Sequence, residues 1–149
     1  MILEKDKKIL EILKKNSRKP IKAIALVLGL PVTTVYNRVK YMEEQGIIKQ
    51  YTLYLDKKKL GYNIEALVEV KITYKSGKES RINETEISKK VLNIPGVERV
   101  YVTTGDTDML VKISVRDIDE LNNIVLERLK IIPGIIGTNT SVILANFRN

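Results

Sequence analysis

The spacing of apolar residues between positions 20 and 46 predicts two short helices separated by a glycine turn, and the second helix has two opposed faces. An apolar stripe at spacing i, i+4, i+7 consists of Val35, Val39 and Met42. A polar stripe at the same spacing consists of Thr33, Asn37 and Lys40. At about 100° per residue, these stripes point in nearly opposite directions. The apolar stripe would pack the helix against a core, and the polar stripe could enter a groove of DNA. This layout is typical of the recognition helix of a helix-turn-helix.

Another helix precedes this pair. Residues 3–15 mix apolar and charged positions at helical spacing, which predicts an amphipathic helix that ends near Asn16. Pro20 suits the first turn of the second helix, and Gly29 suits its end. The third helix begins near Pro31 or Val32 and ends before Gly46. We therefore expect three helices packed into one small unit.

The pattern changes after Gly46. Residues 47–55 (IIKQYTLYL) resemble a β-strand, and residues 56–59 (DKKK) break that pattern, so we expect a solvated linker there. A run of three lysines is also compatible with a contact to phosphate, an alternative that the sequence leaves open.

From Tyr62 onward, strand and helix patterns alternate in the order βαββαβ. Strands are predicted over residues 64–74, 97–104, 109–115 and 137–147, with a loop at 76–78 and a turn at 105–108. Helices are predicted after capping patterns at Asn83 and Asp117, through Leu92 and Lys130. The order is ferredoxin-like. The expected fold class is α+β: a winged-type helix-turn-helix domain (1–50), a β linker (51–61) and a βαββαβ domain (62–149).

A sheet that has helices on one face leaves its other face uncovered. Apolar residues on that face would favour pairing with a second copy of the chain. We therefore expect a homo-oligomer, a dimer or a larger assembly such as a tetramer or an octamer.

Composition excludes much chemistry. The 149 residues include no cysteine and no histidine, so there is no thiolate, no imidazole base and no Cys or His metal site. We find neither a phosphate-binding glycine loop nor an apolar run long enough to span a membrane. The charged beginning of the chain lacks the apolar region of a signal peptide. We expect a cytoplasmic protein without a cofactor or metal, and not an enzyme.

The net charge of +8 is unevenly distributed. Residues 1–50 contain 11 lysines and arginines against 5 acidic residues, a net charge of +6. Residues 51–149 contain 15 against 13, a net charge of +2. A basic helical unit suits phosphate binding. The lysine-rich surface of a thermophile's protein is the alternative explanation.

Several motifs in register make the chain resemble the Lrp/AsnC (leucine-responsive, feast/famine) family of prokaryotic transcription regulators, and an archaeal member in particular. The opening Leu3…Asp6…Ile9-Leu10 is similar to the family's L-D-x-x-D-x-x-I-L, with Glu4 in place of the first aspartate. The family's G-L-S…V…R-V…L-E…G-x-I signature is matched by Gly29-Leu30, Val35, Arg38-Val39, Glu43 and Gly46-Ile47-Ile48. Its [ST]-G-D-[aromatic]-D turn is matched by Thr104-Gly105-Asp106-Thr107-Asp108, and its last strand entry by Pro133-Gly134-Ile135 with Thr138 and Thr140.

Two positions depart from the family pattern. Pro31 stands where a helix-capping serine is common, which would remove a side-chain cap of about 1 kcal/mol unless Thr33 replaces it. Thr107 stands where the turn often has an aromatic residue, so the wall of any effector pocket is changed.

The resemblance implies that the third helix enters the major groove. The residues expected to reach bases are Val32, Thr33, Thr34, Tyr36, Asn37 and Lys40. Phosphate contacts are expected from Lys19, Lys22, Arg38 and Lys40. Arg38 could instead form a structural ion pair, and the helical unit could instead dock a protein.

The resemblance also implies an amino-acid effector bound between subunits. The expected residues are Thr104, Gly105, Asp106, Thr107, Asp108, Thr138 and Thr140. The two aspartates could hold an ammonium group, and backbone N–H groups could hold a carboxylate. An ordinary hairpin turn with aspartate caps explains the same motif.

The expected function is sequence-specific regulation of transcription by a homo-oligomer that binds double-stranded DNA under the influence of an amino acid. Three alternatives remain open at this point. They are an enzyme similar to the sirohaem decarboxylases, an architectural DNA-binding protein, and a small-molecule-binding module that no longer binds DNA.

Overall fold

The computed structural model describes residues 1–73, 75, 76, 80, 81 and 83–147. The chain divides into two compact units, Met1–Leu55 and Asp56–Asn149. The division falls inside the segment predicted as a linker. Within the described residues, no helix is both long enough and apolar enough to cross a bilayer.

Three helices form the first unit, which we call the helical unit. They are α1 (Glu4–Lys15), α2 (Ile21–Leu28) and α3 (Val32–Glu44). Their apolar positions at helical spacing enclose one buried core, made of Ile9, Leu13, Ile24, Ala25, Val35, Val39 and Met42. Gly29 ends α2 in the left-handed conformation, at φ 63°, where a residue with a Cβ would be strained. The predicted trihelical unit is therefore observed.

The start of α3 has no side-chain cap. Pro31 occupies the capping position without a side-chain hydrogen bond, and its carbonyl accepts from the N–H of Val35 at 3.1 Å. Thr33 does not replace the cap, because the helix has already begun at Val32. Pro20 likewise lies just before α2 rather than inside its first turn.

The strand expected over residues 47–55 is not formed. In residues 1–73, all of which the structure describes, this segment is irregular chain. An isolated strand leaves its backbone N–H and C=O groups without partners, so an apolar alternation does not fold into β-structure by itself. The expectation of a solvated linker at residues 56–59 is wrong at Lys57, which is half-buried among acidic side chains.

An antiparallel sheet forms the centre of the second unit. Its strands are β1 (Ile64–Ile72), β4 (Val97–Val102), β5 (Met109–Val115) and β6 (Ile135–Val142), in the order β4-β5-β1-β6. A short hairpin, β2 (Lys75–Ser76) and β3 (Ser80–Arg81), interrupts the predicted loop. Helix α4 spans Glu84–Leu92, and α5 spans Ile118–Asn122. The ferredoxin-like arrangement is confirmed, with the hairpin added. Tyr74, Gly77 and Lys78, to which we assigned strand and loop, lie outside the described residues.

Alternate residues of the sheet point into its core. Met109, Val111, Ile113 and Val115 of β5 are all fully buried, as the alternation predicts. Val68 and Val70 of β1 lie opposite β5 and are fully buried too. Side chains of α4 and α5 complete this core on one face of the sheet. The residues of the other face, such as Glu69 and Lys112, stay outside this core.

The last strand is shorter at its end than predicted and begins earlier. Strand β6 pairs with β1 from Ile72↔Ile135 to Ala66↔Val142, and the N–H of Ile143 donates to the carbonyl of Glu65 at 2.8 Å. Because β1 itself begins at Ile64, the residues of the chain after Ile143 extend beyond the end of β1. Phe147, which we placed in the strand, is 93% exposed. Strand β4 also ends two residues early, at Val102 rather than Thr104.

The helix predicted through Lys130 changes its form on the way. Asp117 caps α5 by accepting from the N–H of Glu120 at 2.8 Å, and a π-helix then continues over Asn123–Leu129. The wider turns still bury Ile124 and Leu129 against the sheet. Hydrophobic periodicity located this element but did not distinguish the two kinds of helix.

Gly96 provides a test of packing between this π-helix and the sheet. A Cβ added to Gly96 would lie 2.9 Å from Cδ1 of Ile124, whereas one added to Gly61 would meet nothing within 4 Å. Both glycines have nearly the same positive φ, 92° at Gly96 and 88° at Gly61. We expect Gly61→Ala to lower the free energy of unfolding by about 1–2 kcal/mol through backbone strain. Gly96→Ala should cost about 1 kcal/mol more, because buried Ile124 must move.

Urea unfolding followed by circular dichroism, at one fixed protein concentration, measures both changes. Equal costs for the two variants would contradict the packing argument and show that Ile124 moves aside without loss.

Candidate DNA-recognition face and effector turn

Helix α3 presents one exposed face and one buried face. Val35 and Met42 are fully buried, and Val39 is 7% exposed. On the other side, the exposed residues include Val32, Thr33, Tyr36, Asn37 and Lys40, with Thr34 half-buried beside them. The apolar and polar stripes predicted from the sequence therefore lie on separate faces of α3. The exposed face combines hydroxyl, amide and ammonium groups with one aromatic ring.

A shallow groove of about 400 Å³ lies between this face and the beginning of α2. Its lining includes Lys22 from α2 and Thr33, Tyr36 and Asn37 from α3. Val32 lines it as well, so five of the predicted DNA-binding residues form part of its wall. Lys40 lies one turn further along α3, more than half exposed, with only a loose ion pair to Glu44 at 3.8 Å. Lys19, just before α2, is half-buried.

Arg38 takes the structural role that the sequence left as its alternative. Its Nε donates to Oδ1 of Asp6 at 2.7 Å, and its Nη2 donates to Oδ2 at 2.6 Å. The guanidinium also lies over the ring of Tyr41, 4.4 Å from the centroid. Two of its three nitrogens are thus used inside the helical unit. The expectation that Arg38 binds phosphate is not supported by this geometry.

Asp6, which the sequence shows only as part of the opening motif, has a structural role in the helical unit. Its carboxylate is fully buried, and besides Arg38 it accepts the backbone N–H of Leu3 at 2.7 Å. The hydrogen bonds from the Arg38 guanidinium are the main reason that the pKa of Asp6 lies below its ordinary value. The signal available in the sequence was an acidic residue on the buried side of an amphipathic helix. Its partner, 32 residues away, could not be identified from spacing.

The turn between β4 and β5 is held by hydrogen bonds of its own. The N–H of Thr103 donates to the carbonyl of Asp108 at 2.9 Å, and the Thr103 hydroxyl donates to the carbonyl of Thr107. Oδ2 of Asp108 accepts the N–H of Ile72 at 2.7 Å, where the pairing of β1 with β6 shifts register. Asp108 therefore ties the turn to the end of β1. This is the structural role that an ordinary capped turn predicts.

The other predicted effector residues lie around the hydrogen bond between Asp108 and Ile72. Thr104, Gly105 and Asp106 are exposed, and Thr107 is half-buried. On β6, Thr138 pairs with Val70 and Thr140 with Val68. The N–H of Asp108 donates to the carbonyl of Val70 at 3.2 Å, so the turn and Thr138 meet on opposite sides of one β1 residue. Thr140 lies two residues further along the strand.

Comparison with known proteins gives the same two-part division. The family described as "Lrp/AsnC ligand binding domain" matches residues 65–149, and "Winged helix-turn-helix DNA-binding" matches residues 2–49. The HTH-type transcriptional regulator FL11 of Pyrococcus furiosus is 40% identical over 139 residues, covering 93% of this chain and 87% of that protein. The HTH-type transcriptional regulator LysM of Saccharolobus solfataricus is 41% identical over 141 residues, covering 95% and 92%.

Solved structures share the whole fold. E. coli AsnC superposes with a TM-score of 0.85 at 28% identity, over 100% of this chain and 97% of that chain. A transcriptional regulator from Neisseria meningitidis, solved as a complex with L-Met, has a TM-score of 0.89 at 23% identity, over 100% and 94%. At 23% identity, the comparison with the Neisseria protein shows a shared fold.

A helix-turn-helix unit followed by a ferredoxin-like ligand-binding unit defines a class of DNA-binding transcription regulators, and this protein is one of them. Within that class, the chain belongs to the Lrp/AsnC family.

The ion pair between Asp6 and Arg38 generates a stability prediction. Arg38→Ala would leave a buried carboxylate without its charged partner, which is a strongly destabilising change. Arg18→Ala removes an exposed arginine from the same unit and serves as the control. We expect the melting temperature of the helical unit to fall clearly in the Arg38 variant and hardly at all in the Arg18 variant, as measured by circular dichroism at neutral pH.

The pH dependence tests the cause. Because the folded-state pKa of Asp6 is lowered, the stabilisation is fully present above the ordinary aspartate pKa of about 3.9 and is lost as pH falls through the lowered value. The difference in melting temperature between wild type and Arg38→Ala should therefore be constant near neutral pH and shrink in acid. A difference that persists unchanged in strong acid would contradict the ion-pair explanation.

Proposed function

We propose that this regulator recognises a pseudo-palindromic DNA site through α3, as a dimer or a larger homo-oligomer in the cytoplasm. The observation that supports this most directly is the exposed polar face of α3, which lies opposite a fully packed apolar face. The apolar face of such a helix packs against the rest of the unit, and its opposite face carries hydrogen-bonding groups. The helix can therefore enter the major groove without disturbing the core of the unit. The net charge of +6 on residues 1–50 also supports DNA as the binding partner.

Base recognition is assigned to the residues along this face. The Asn37 amide can form two hydrogen bonds with adenine, and the threonine hydroxyl and methyl groups can contact a base edge or a thymine methyl. Tyr36 and Val32 add apolar contact surface, since both side chains are about half exposed. The proposed base-contacting residues are Val32, Thr33, Thr34, Tyr36, Asn37 and Lys40.

Phosphate contacts are assigned to Lys19, Lys22 and Lys40. Lys22 lines the groove beside α3, and Lys40 extends from the same helix beyond Asn37. Arg38 acts differently: through Asp6 it fixes the rotation of α3 against α1. Arg38 is thus a positioning residue in this proposal.

Association through the sheet is supported by the face that α4 and α5 leave uncovered. Leu67 and Leu110 are half-buried on that face, and exposed Tyr101 pairs with Leu110 across β4 and β5. A second copy would cover this surface. Two recognition helices related by a two-fold axis would then contact half-sites about one helical turn apart.

A non-enzymatic role follows from the same observations. The named relatives are regulators. The resemblance to sirohaem decarboxylases implies a chemistry that uses His and Arg, and the sequence contains no histidine. A selection of random DNA duplexes by the purified protein at near-physiological salt tests the proposal. Enrichment of a pseudo-palindrome would support it. Salt-sensitive binding without an enriched sequence would favour an architectural role instead, and no binding at low salt would overturn DNA recognition altogether.

Two substitutions on α3 separate base contacts from phosphate contacts. Asn37→Ala should relax the preference at one base pair, at a cost of about 1–3 kcal/mol in discrimination. Lys40→Ala should weaken binding to all sequences alike and reduce the slope of log affinity against log salt by about 1. Fluorescence anisotropy titrations at several salt concentrations measure both effects.

Lys89→Ala, which removes one exposed charge from α4, is the matched control for net charge. If Lys89→Ala changed the slope as much as Lys40→Ala does, Lys40 would have no specific phosphate contact.

We further infer that an amino acid binds beside the turn between β4 and β5. Asp106 provides an exposed carboxylate for an ammonium group, next to Thr104 and Gly105, and Thr138 and Thr140 lie across β1. The Neisseria structure, a complex with L-Met, shows that this fold accommodates an amino acid in another protein. Asp108 shapes the turn, because its carboxylate is occupied by the N–H of Ile72.

The two aspartates should therefore behave differently. Asp106→Ala should abolish heat of binding for the amino acid that the wild type binds, while DNA affinity and melting temperature stay unchanged. Asp108→Ala should lower the melting temperature, since it removes the acceptor of a strand N–H. Isothermal titration against the twenty amino acids, with Asp119→Ala as an exposed acidic control, measures binding. A destabilised Asp106 variant would show that this residue, too, serves only the turn.

A further inference from the structure

The chain that joins the two units is fastened at both of its ends by hydrogen bonds to glutamates. At one end, the hydroxyl of Tyr51 donates to Oε1 of Glu43 at 2.6 Å. At the other end, Nζ of Lys57 donates to Oε1 of Glu65 at 2.8 Å. Glu43 belongs to α3, the recognition helix, and Glu65 belongs to β1 of the sheet. Each unit therefore has its own anchor on the same stretch of chain.

The Tyr51 anchor extends the helical unit beyond α3. The N–H groups of Ile47 and Ile48 donate to the carbonyl of Met42 at 2.9 and 3.0 Å, which turns the chain back along the helix. Partial burial, together with the hydrogen bond to Glu43, raises the pKa of Tyr51 to about 12. The hydroxyl therefore stays protonated and remains a donor at any physiological pH. Ile47, Ile48 and the side chain of Tyr51 are thus held to the C-terminal part of the recognition helix.

The Lys57 anchor is made of several charged groups on the uncovered face of the sheet. Nζ of Lys57 also donates to Oγ of Ser114 at 2.9 Å and forms an ion pair with Glu98 of β4. Lys112 of β5 shares Glu65, at 3.1 Å. The side chains of both lysines and both glutamates are only 23–31% exposed. Water screens such a partly buried group less than it screens a surface pair.

The backbone around Lys57 is fixed as well. Its carbonyl accepts from the N–H of Leu60 at 3.0 Å and from the N–H of Tyr62 at 2.9 Å, which closes the short 3₁₀ turn Lys58–Leu60. The anchor is therefore a folded element and more than one flexible side chain. We call the chain between the two anchoring residues, 52–56, the tether; at its end, Oδ1 of Asp56 accepts the N–H of Lys59 at 3.3 Å. At about 3.5 Å per residue, the tether can span at most roughly 20 Å between the Cα atoms of Tyr51 and Lys57.

We propose that Tyr51 and Lys57 set the working length of this tether and are therefore determinants of the half-site spacing that the regulator accepts on DNA. This inference rests on the proposed function, recognition of two half-sites by an oligomer. A short tether concentrates the second recognition helix near one position after the first has bound. A longer tether spreads it over a larger volume, which lowers the effective concentration at the best spacing and raises it at others.

Distances between the two units test the tether without DNA. Because the chain contains no cysteine, Lys14→Cys on α1 and Lys89→Cys on α4 give two unique sites for spin labels. Labelled protein is mixed with an excess of unlabelled protein, so that distances within one chain dominate. We expect Tyr51→Phe and Lys57→Met to broaden the distance distribution measured by double electron–electron resonance. Tyr62→Phe and Lys58→Met, which make the same chemical changes at neighbouring exposed positions, should leave it unchanged. Unchanged widths in both anchor variants would overturn the proposal.

Binding to DNA then tests the consequence. Duplexes carry two selected half-sites whose separation varies in steps of one base pair around one helical turn. We expect the affinity of the wild type to fall by about tenfold or more away from its best spacing, and that of Tyr51→Phe and Lys57→Met by about threefold or less. Affinity for a duplex with a single half-site should stay the same, because the face of α3 is untouched. Superimposable spacing profiles would contradict the role in specificity.

A double-substitution cycle identifies the contact at the Tyr51 end. Glu43→Ala should broaden the spacing profile as Tyr51→Phe does, and the two changes together should add nothing further, since both remove one hydrogen bond. Loss of single-site affinity in these variants would instead assign Tyr51 to the folding of the recognition helix, against the proposal. If the wild type bound no half-site at all, the proposed function would be wrong. The spin-label distances would still test whether Tyr51 and Lys57 limit the length of the tether.

Discussion

The buried carboxylate of Asp6 constrains the helical unit more than any other single group described. A carboxylate out of contact with water must have its charge and its lone pairs satisfied. Here the Arg38 side chain and the Leu3 N–H satisfy them with three short hydrogen bonds. These bonds join the first turn of α1 to the middle of α3, and they fix which side of α3 faces the core. The exposed face of the recognition helix is therefore determined from the inside.

The second unit depends on a different constraint, the pleat of its sheet. Alternate residues of β1 and β5 must all enter one core, and this core is closed by α4 and the α5–π helix on one side. The opposite face then receives the remaining side chains, among them Glu65, Lys112 and Leu110. That face combines an apolar patch with a cluster of paired charges. The same pleat thus produces both the core of the unit and the surface on which association and tether anchoring are proposed.

Hydrophobic periodicity was sufficient for most of the fold. The stripe of Val35, Val39 and Met42 and the alternation from Met109 to Val115 report burial directly, so α3 and β5 were located within one or two residues. The end of β6 was not, because it is determined by where its partner β1 begins. The strand expected over residues 47–55 was not predicted correctly for the same reason. A β pattern indicates a preference for extended backbone, but a strand forms only where a neighbouring strand supplies hydrogen-bond partners.

The candidate sites were only partly predictable. Exposed positions on α3 follow from the helical period, and the structure places them as expected. The partners of charged residues do not follow from it. Arg38 with Asp6, Lys57 with Glu65 and Glu98, and Asp108 with the N–H of Ile72 are all contacts between distant parts of the sequence. In each case the role of the charged residue is decided by a partner that spacing alone cannot identify.

The proline before α3 has a consequence for how this helix meets an anion. A serine at that position would place its hydroxyl on an N–H group of the first turn. Within the described helical unit, Pro31 leaves those N–H groups without a side-chain acceptor. A DNA phosphate oxygen that approached there would complete the end of the helix and displace no internal bond. Capping and binding would then be a single event, and the ligand itself would supply the hydrogen bond that the sequence omits.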